Sequence, residues 1–225
     1  MSARAELEKV IATHAQKMGS TVKLPKHWVF NQMDANSVRK AAVLILFGSA
    51  TGRGVHEAAK PEELDLLFVE RASTLRKHAG QIAFPGGGID PDDGSASAAA
   101  LREAWEETGV DISGIEVLGQ LTETELPVSS FLVTPVVGWW HTESRVYAAD
   151  LRESSDVFRA PVTHLLDPHN RLTAVVQRGA QRFKSPAFEY EGHLIWGFTA
   201  IVIDRLFAEL GWNKPWNAQR EIKLK

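Results

Sequence analysis

The stretch Arg102-Glu103-Ala104-Trp105-Glu106-Glu107-Thr108-Gly109-Val110 decides the reading of this chain. Upstream of it Ala98-Ala99-Ala100-Leu101 favours helix. Ser95 or Ser97 can cap the start, and Gly109 stops the helix after about Thr108. At about 100° per residue, Glu103, Glu106 and Glu107 fall within an arc of about 100° on one face. Carboxylates that close repel one another, and an acidic face of this kind usually just meets water. A hard divalent cation reverses the sign, because oxygen ligands are what Mg²⁺ and Mn²⁺ prefer. Leu101, Ala104 and Trp105 are left to pack the helix on a sheet.

Arg39–Phe47 and Leu64–Glu70 are rich in branched apolar residues and predict buried strands. Phe84-Pro85-Gly86-Gly87-Gly88 breaks the chain, and Ile89–Gly94 is an acidic loop. Ile115–Thr122 and Phe131–Trp140 are further strands. Val157–Leu166 combines a strand with a short turn of helix around Pro161. Leu172–Gln177 and Ala187–Tyr190 suggest a hairpin, and Phe198–Leu210 a closing amphipathic helix. Ala3–Met18 has helical spacing, with a polar approach through Pro25 and Trp28 after it. Short strands interrupted by helices predict an α/β (α+β) architecture, a mixed β-sheet sandwiched between helices. The expected division is an N-terminal helical extension over 1–35 and one domain over 36–225.

Composition narrows the chemistry. The 225 residues, 44% hydrophobic and 24% charged, suit an ordinary globular domain. A formal net charge of −3 argues against nucleic acid as the main partner. The absence of cysteine excludes disulfides, thiolate metal sites and a cysteine nucleophile. The N-terminal segment has no continuous apolar core, so a signal peptide is not expected. Ala41–Phe47 and Leu194–Ile203 are too short to span a bilayer. A cytoplasmic protein with no membrane partner is therefore expected. The histidines, among them His14, His78, His141, His164 and His193, show no zinc spacing. Ser129 and Ser130 lack the glycines of a nucleophile elbow. Trp139, Trp140 and Trp196 read as core or dimer-interface packing. Gly86–Gly88 leads into an acidic loop rather than a helix, unlike a dinucleotide-binding turn.

The glycine turn, acidic loop and glutamate helix together resemble the Nudix signature, G-x5-E-x7-R-E-U-x-E-E-x-G-U with U apolar. The half from Arg102 to Val110 matches at every specified position. The first half departs. Counting back from Arg102 puts the motif glycine on Gly88 and its glutamate on Gly94. Alternatively Gly87 is the motif glycine, Asp93 replaces the glutamate, and the loop is one residue longer. The second alignment is preferred because it retains a carboxylate. Upstream, Arg71-Ala72-x3-Arg76-x3-Gly80-x3-Phe84-Pro85-Gly86-Gly87 resembles the additional signature of the coenzyme A pyrophosphatase branch.

This resemblance implies a Nudix fold and a Mg²⁺- or Mn²⁺-dependent diphosphate hydrolase. Its metal ligands would be Glu103, Glu106, Glu107 and the carbonyl of Gly87, with Arg102 orienting the helix glutamates. Arg71 and Arg76, with Lys77 and His78 beside them, would hold substrate phosphates through guanidinium forks. Gly86 and Gly87 would let the backbone approach metal or phosphate closely. The implied reaction takes coenzyme A or an acyl derivative to 3′,5′-ADP and (acyl-)4′-phosphopantetheine. Glu103 is the default general base, with Glu123, Glu125 and Glu153 as loop candidates. A Nudix enzyme of NADH or an ADP-sugar, and a nucleotide sensor that no longer cleaves, are the rival readings. A homodimer is suggested by the resemblance alone.

Overall fold

The strand β1 (Arg39–Ser49) runs parallel to β7 (Phe131–Trp140), in register from Arg39 opposite Phe131 to Phe47 opposite Trp139. The computed structural model describes residues 1–17, 19–23, 38–52, 54–73, 79–126, 130–179 and 181–224. Arg76, Lys77, His78, Pro25, Trp28 and Ser129 lie outside them. Both central strands are near-continuous apolar runs because both faces are covered. Ile45, Phe47, Val137 and Trp139 enter one core cluster, while Leu44, Leu46, Val136 and Trp140 enter the other. Trp139 and Trp140 are thus core residues, fully buried on opposite faces.

The larger sheet has the order β3-β2-β1-β7-β5, where β2 is Leu64–Arg71, β3 Ile82–Ala83 and β5 Ile115–Gln120. Three short or edge strands complete it: β4 (Gly86–Gly88) on β1, β6 (Thr124–Leu126) on β7 and β8 (Ser154–Pro161) on β2. The Phe84–Gly88 stretch therefore does not break the chain. Gly86, Gly87 and Gly88 pair with Val43, Ala42 and Ala41, and Leu44 donates to the Pro85 carbonyl at 2.8 Å.

The expected hairpin forms as β9 (Arg171–Arg178) and β10 (Gln181–Tyr190). It belongs to a second, four-stranded sheet of order β11-β10-β9-β12, with β11 at His193–Trp196 and β12 at Glu221–Leu224. The C-terminal strand gave no sequence signal, since four residues with Ile222 and Leu224 on one face are too few to show a period.

Helices cover the sheets. In α1 (Ala3–Ala15) Ser2 caps the start, and Ala3, Leu7, Ile11 and His14 form the buried stripe. The first three belong to the main core cluster. Gln16 caps the helix, which ends before the residues expected to continue it. The other helices are α2 (Ala96–Thr108), α3 (Val162–Leu165), which is the short turn expected after Pro161, and α4 (Gly197–Glu209). None of the described helices is long and apolar enough to cross a membrane.

One ion cluster holds the β2–β8 pair to the loop after β7. Arg159 lies 2.8 Å from Asp65 and 2.6 Å from Glu143, and its guanidinium sits 4.9 Å over the Trp140 ring. Burial pushes the Asp65 carboxyl up to about 6, against the pull of Arg159. Arg159→Met would leave two carboxylates buried without their cation. The expected cost is about 3–5 kcal/mol in urea unfolding at neutral pH. The cost should shrink towards pH 5, where Asp65 takes up a proton. A loss below about 1 kcal/mol at neutral pH would contradict this account.

Candidate active site

The site is assembled by docking α2 on the central strands. Ser95 accepts from the Ala98 amide at 3.1 Å, and Gly109 closes the helix with φ of 64°. Ala99, Ala100 and Ala104 are fully buried against Ala42, Leu44, Leu46 and Val136. These small side chains let the helix lie close to the sheet. Trp105, expected to pack with them, points to solvent and is 57% exposed. It sits roughly 150° around the helix from the middle of the Glu103–Glu107 face.

Arg102 organises the acidic face. Its Nε and Nη2 donate to Asp93 at 2.7 and 3.0 Å, a two-pronged contact. Its Nη2 also donates to the Gly88 carbonyl at 3.1 Å, and Nη1 donates to Glu103 and Glu106, each at 3.0 Å. One guanidinium thereby joins the turn at Pro91–Asp93, strand β4 and two helix carboxylates. The contact holds the Asp93 carboxyl below its ordinary range. Asp93 is the loop carboxylate that faces Arg102.

Glu107 turns the other way. It is 8% exposed and accepts from the Gly86 amide at 2.9 Å. Burial pushes its carboxyl up to about 7; Gly86 N–H and the Arg71 charge oppose that, while Glu103 and Glu153 reinforce it. Burial also raises Glu103, against the pull of Arg102. Gly87 lies so close to Glu103 that a Cβ there would sit 2.5–2.6 Å from the carboxylate. Arg71 is near enough to Glu107 to influence it, and its Nε is buried without a hydrogen-bond partner among the described residues.

The α2 carboxylates spread rather than converge. Glu106 turns to Arg102 and Glu107 to Gly86. Among the described residues, the group whose ligand atoms all lie within 4.8 Å of one another is Glu70, Asp156 and His193. No local motif could have revealed it, because the three come from strands far apart in sequence. The donor set at α2 consists of oxygens alone, with two carboxyls held at raised values by burial. That chemistry suits a hard divalent cation. A cavity of about 580 Å³ lies elsewhere, lined by Pro168, His169, Pro215, Trp216, Asn217 and Arg220. None of those residues belongs to α2, β4 or β2.

The NUDIX domain family matches residues 50–175, which contain α2, β4 and most of the larger sheet. The chain belongs to the Nudix family. It is 36% identical over 186 residues to the protein named uncharacterized Nudix hydrolase NudL of Cronobacter sakazakii, covering 82% of this chain and 90% of that one. To the NudL protein of Photorhabdus laumondii it is 40% identical over 144 residues, 63% of this chain and 74% of the other. Among solved structures, a MutT/nudix family protein from Enterococcus faecalis aligns with a TM-score of 0.47 at 15% identity, over 94% of this chain and 75% of that one. By the family match the chain carries a Nudix hydrolase domain, with the α+β fold and mixed sheet expected of it.

Proposed function

We propose that this Nudix hydrolase cleaves the diphosphate of coenzyme A or an acyl-coenzyme A, giving 3′,5′-ADP and (acyl-)4′-phosphopantetheine. The observation that carries the reading is the placement of Arg71 close enough to act on the Glu107 carboxyl, with a buried Nε that has no hydrogen-bond partner among the described residues. The run from Arg71 to Gly87 that resembles the coenzyme A branch supports it. Coenzyme A carries a 3′-phosphate as well as a diphosphate, so cations next to the acidic helix suit it.

Glu103, Glu106, Glu107 and the Gly87 carbonyl would hold Mg²⁺ or Mn²⁺. When bound, the cation neutralises charge on the diphosphate oxygens and lowers the pKa of an attacking water. Arg102 keeps Glu103 and Glu106 in place, and Arg71 would hold a phosphate oxygen. Glu103 is the first candidate to take the water's proton. Of the loop alternatives, Glu153 lies close enough to act on the Glu107 carboxyl.

Incubation with coenzyme A and Mg²⁺ or Mn²⁺ should yield 3′,5′-ADP, separated by chromatography, and nothing when the metal is chelated. Arg71→Met should raise KM for coenzyme A by about 10- to 100-fold, the worth of a charged hydrogen bond, with a smaller change in kcat. Turnover of NADH or an ADP-sugar in place of coenzyme A would sink the substrate assignment. Inactivity on the whole panel would favour a nucleotide-sensing module.

A further inference from the structure

We propose that Glu70, Asp156 and His193 form a second cation site, separate from the glutamates of α2 and selective for a transition metal. The three side chains come from β2, β8 and β11. Their ligand atoms lie within 4.8 Å of one another. His193 Nδ1 is 3.3 Å from a Glu70 oxygen, and Nε2 is 3.5 Å from an Asp156 oxygen. Both spacings exceed the 2.7–2.9 Å or so of a charge-assisted hydrogen bond. A single cation takes only one of these nitrogens; one ligand atom from each residue lies within 4.8 Å of the other two, so the second carboxylate reaches the ion by turning about its own side-chain torsions. The imidazole is also held in place: it stacks on Phe158 at 4.0 Å between centroids and 6° between planes. That stack fixes the direction in which the ring presents its nitrogens.

The donor set sets the selectivity. One imidazole nitrogen and two carboxylates suit Mn²⁺, Co²⁺ or Zn²⁺, whereas Mg²⁺ prefers oxygen alone. Position gives the site a consequence. Glu70 and Asp156 belong to the larger sheet and His193 to the smaller one. A bound cation therefore staples the two sheets at the end of β2, one residue before Arg71. It stabilises the fold by binding the native state and not the unfolded chain.

The probe is Co²⁺, titrated into the full chain in excess Mg²⁺ and followed by visible absorption and by paramagnetic shifts of the His193 ring protons. One Co²⁺ per chain is expected, with a raised thermal midpoint. Asp156→Asn and His193→Gln should each weaken binding by about tenfold or more and remove the thermal shift. Glu107→Gln should leave this Co²⁺ binding intact, which separates the site from the proposed catalytic metal. Asp156 is half exposed, so its variant is expected to fold even if the histidine variant does not. No retained Co²⁺, or binding unchanged in Asp156→Asn and in a folded His193→Gln protein, would reduce the trio to an ion-pair cluster and overturn the proposal.

Discussion

Glu107→Gln is expected to lower metal-dependent turnover by about 10³-fold or more, the scale on which lost stabilisation of phosphoryl charge is felt, while leaving the protein folded. The two effects separate because the carboxyl is buried and pushed up to about 7. In the unfolded chain a glutamate ionises near pH 4.3. The metal-free folded protein therefore holds a proton on Glu107 that the unfolded chain releases between those values. Rising pH then favours unfolding: this group's contribution is fully present below about pH 4.3 and is lost as pH climbs through about 7. The neutral glutamine keeps a carbonyl oxygen for the Gly86 amide and does not titrate. In urea denaturation with metal chelated, the variant should gain on the wild type by on the order of 3–4 kcal/mol between pH 4 and pH 8. Asp65, whose carboxyl is also raised, is present in both proteins and cancels in the difference. Full turnover in the variant would remove Glu107 from the metal site. A stability difference that ignores pH would contradict its buried titration.

What the sequence revealed follows from where side chains carry the information. β1, β2 and β7 were legible because both faces are buried, so their branched residues run without interruption. β7 even starts at the expected Phe131, directly after Ser130 in a left-handed conformation at φ 56°. The glycine run concealed a strand, since three residues without side chains have no pattern. Its pairing partner is set by β1, not by anything in Gly86–Gly88. Trp105 misled for a different reason: helical angle placed it near the edge of the buried face, and the alanines alone proved sufficient to dock α2. At the site, helical periodicity anticipated the common face of the three glutamates, and the family resemblance anticipated that Arg102 would engage them. It could not say that Glu107 would turn inward to a backbone amide, which depends on β4. Nor could it show that Glu153, some 46 residues along the chain from Glu107, comes close enough to raise it.

Gly86 and Gly87 are expected to respond in opposite ways to the same added methyl group, and that contrast isolates the role of the turn. A Cβ on Gly86 would meet the Ala42 carbonyl and the Val43 backbone, and the residue has φ of 154°. Neither obstacle can move without disturbing β1, so Gly86→Ala should destabilise the fold by about 2–4 kcal/mol. A Cβ on Gly87 would meet the Glu103 carboxylate, the far end of a flexible side chain. Glu103 can swing aside at little cost in stability. It would then leave its place between Arg102 and β4, and a displacement near 1 Å at a catalytic group costs about 10²-fold in rate. Gly87→Ala should therefore unfold at nearly the wild-type urea midpoint while its turnover falls by about two orders of magnitude. Equal loss of stability in both variants would make the glycine pair a packing feature of β4. Retention of turnover in Gly87→Ala would mean that the close approach of backbone to Glu103 serves no step of the reaction.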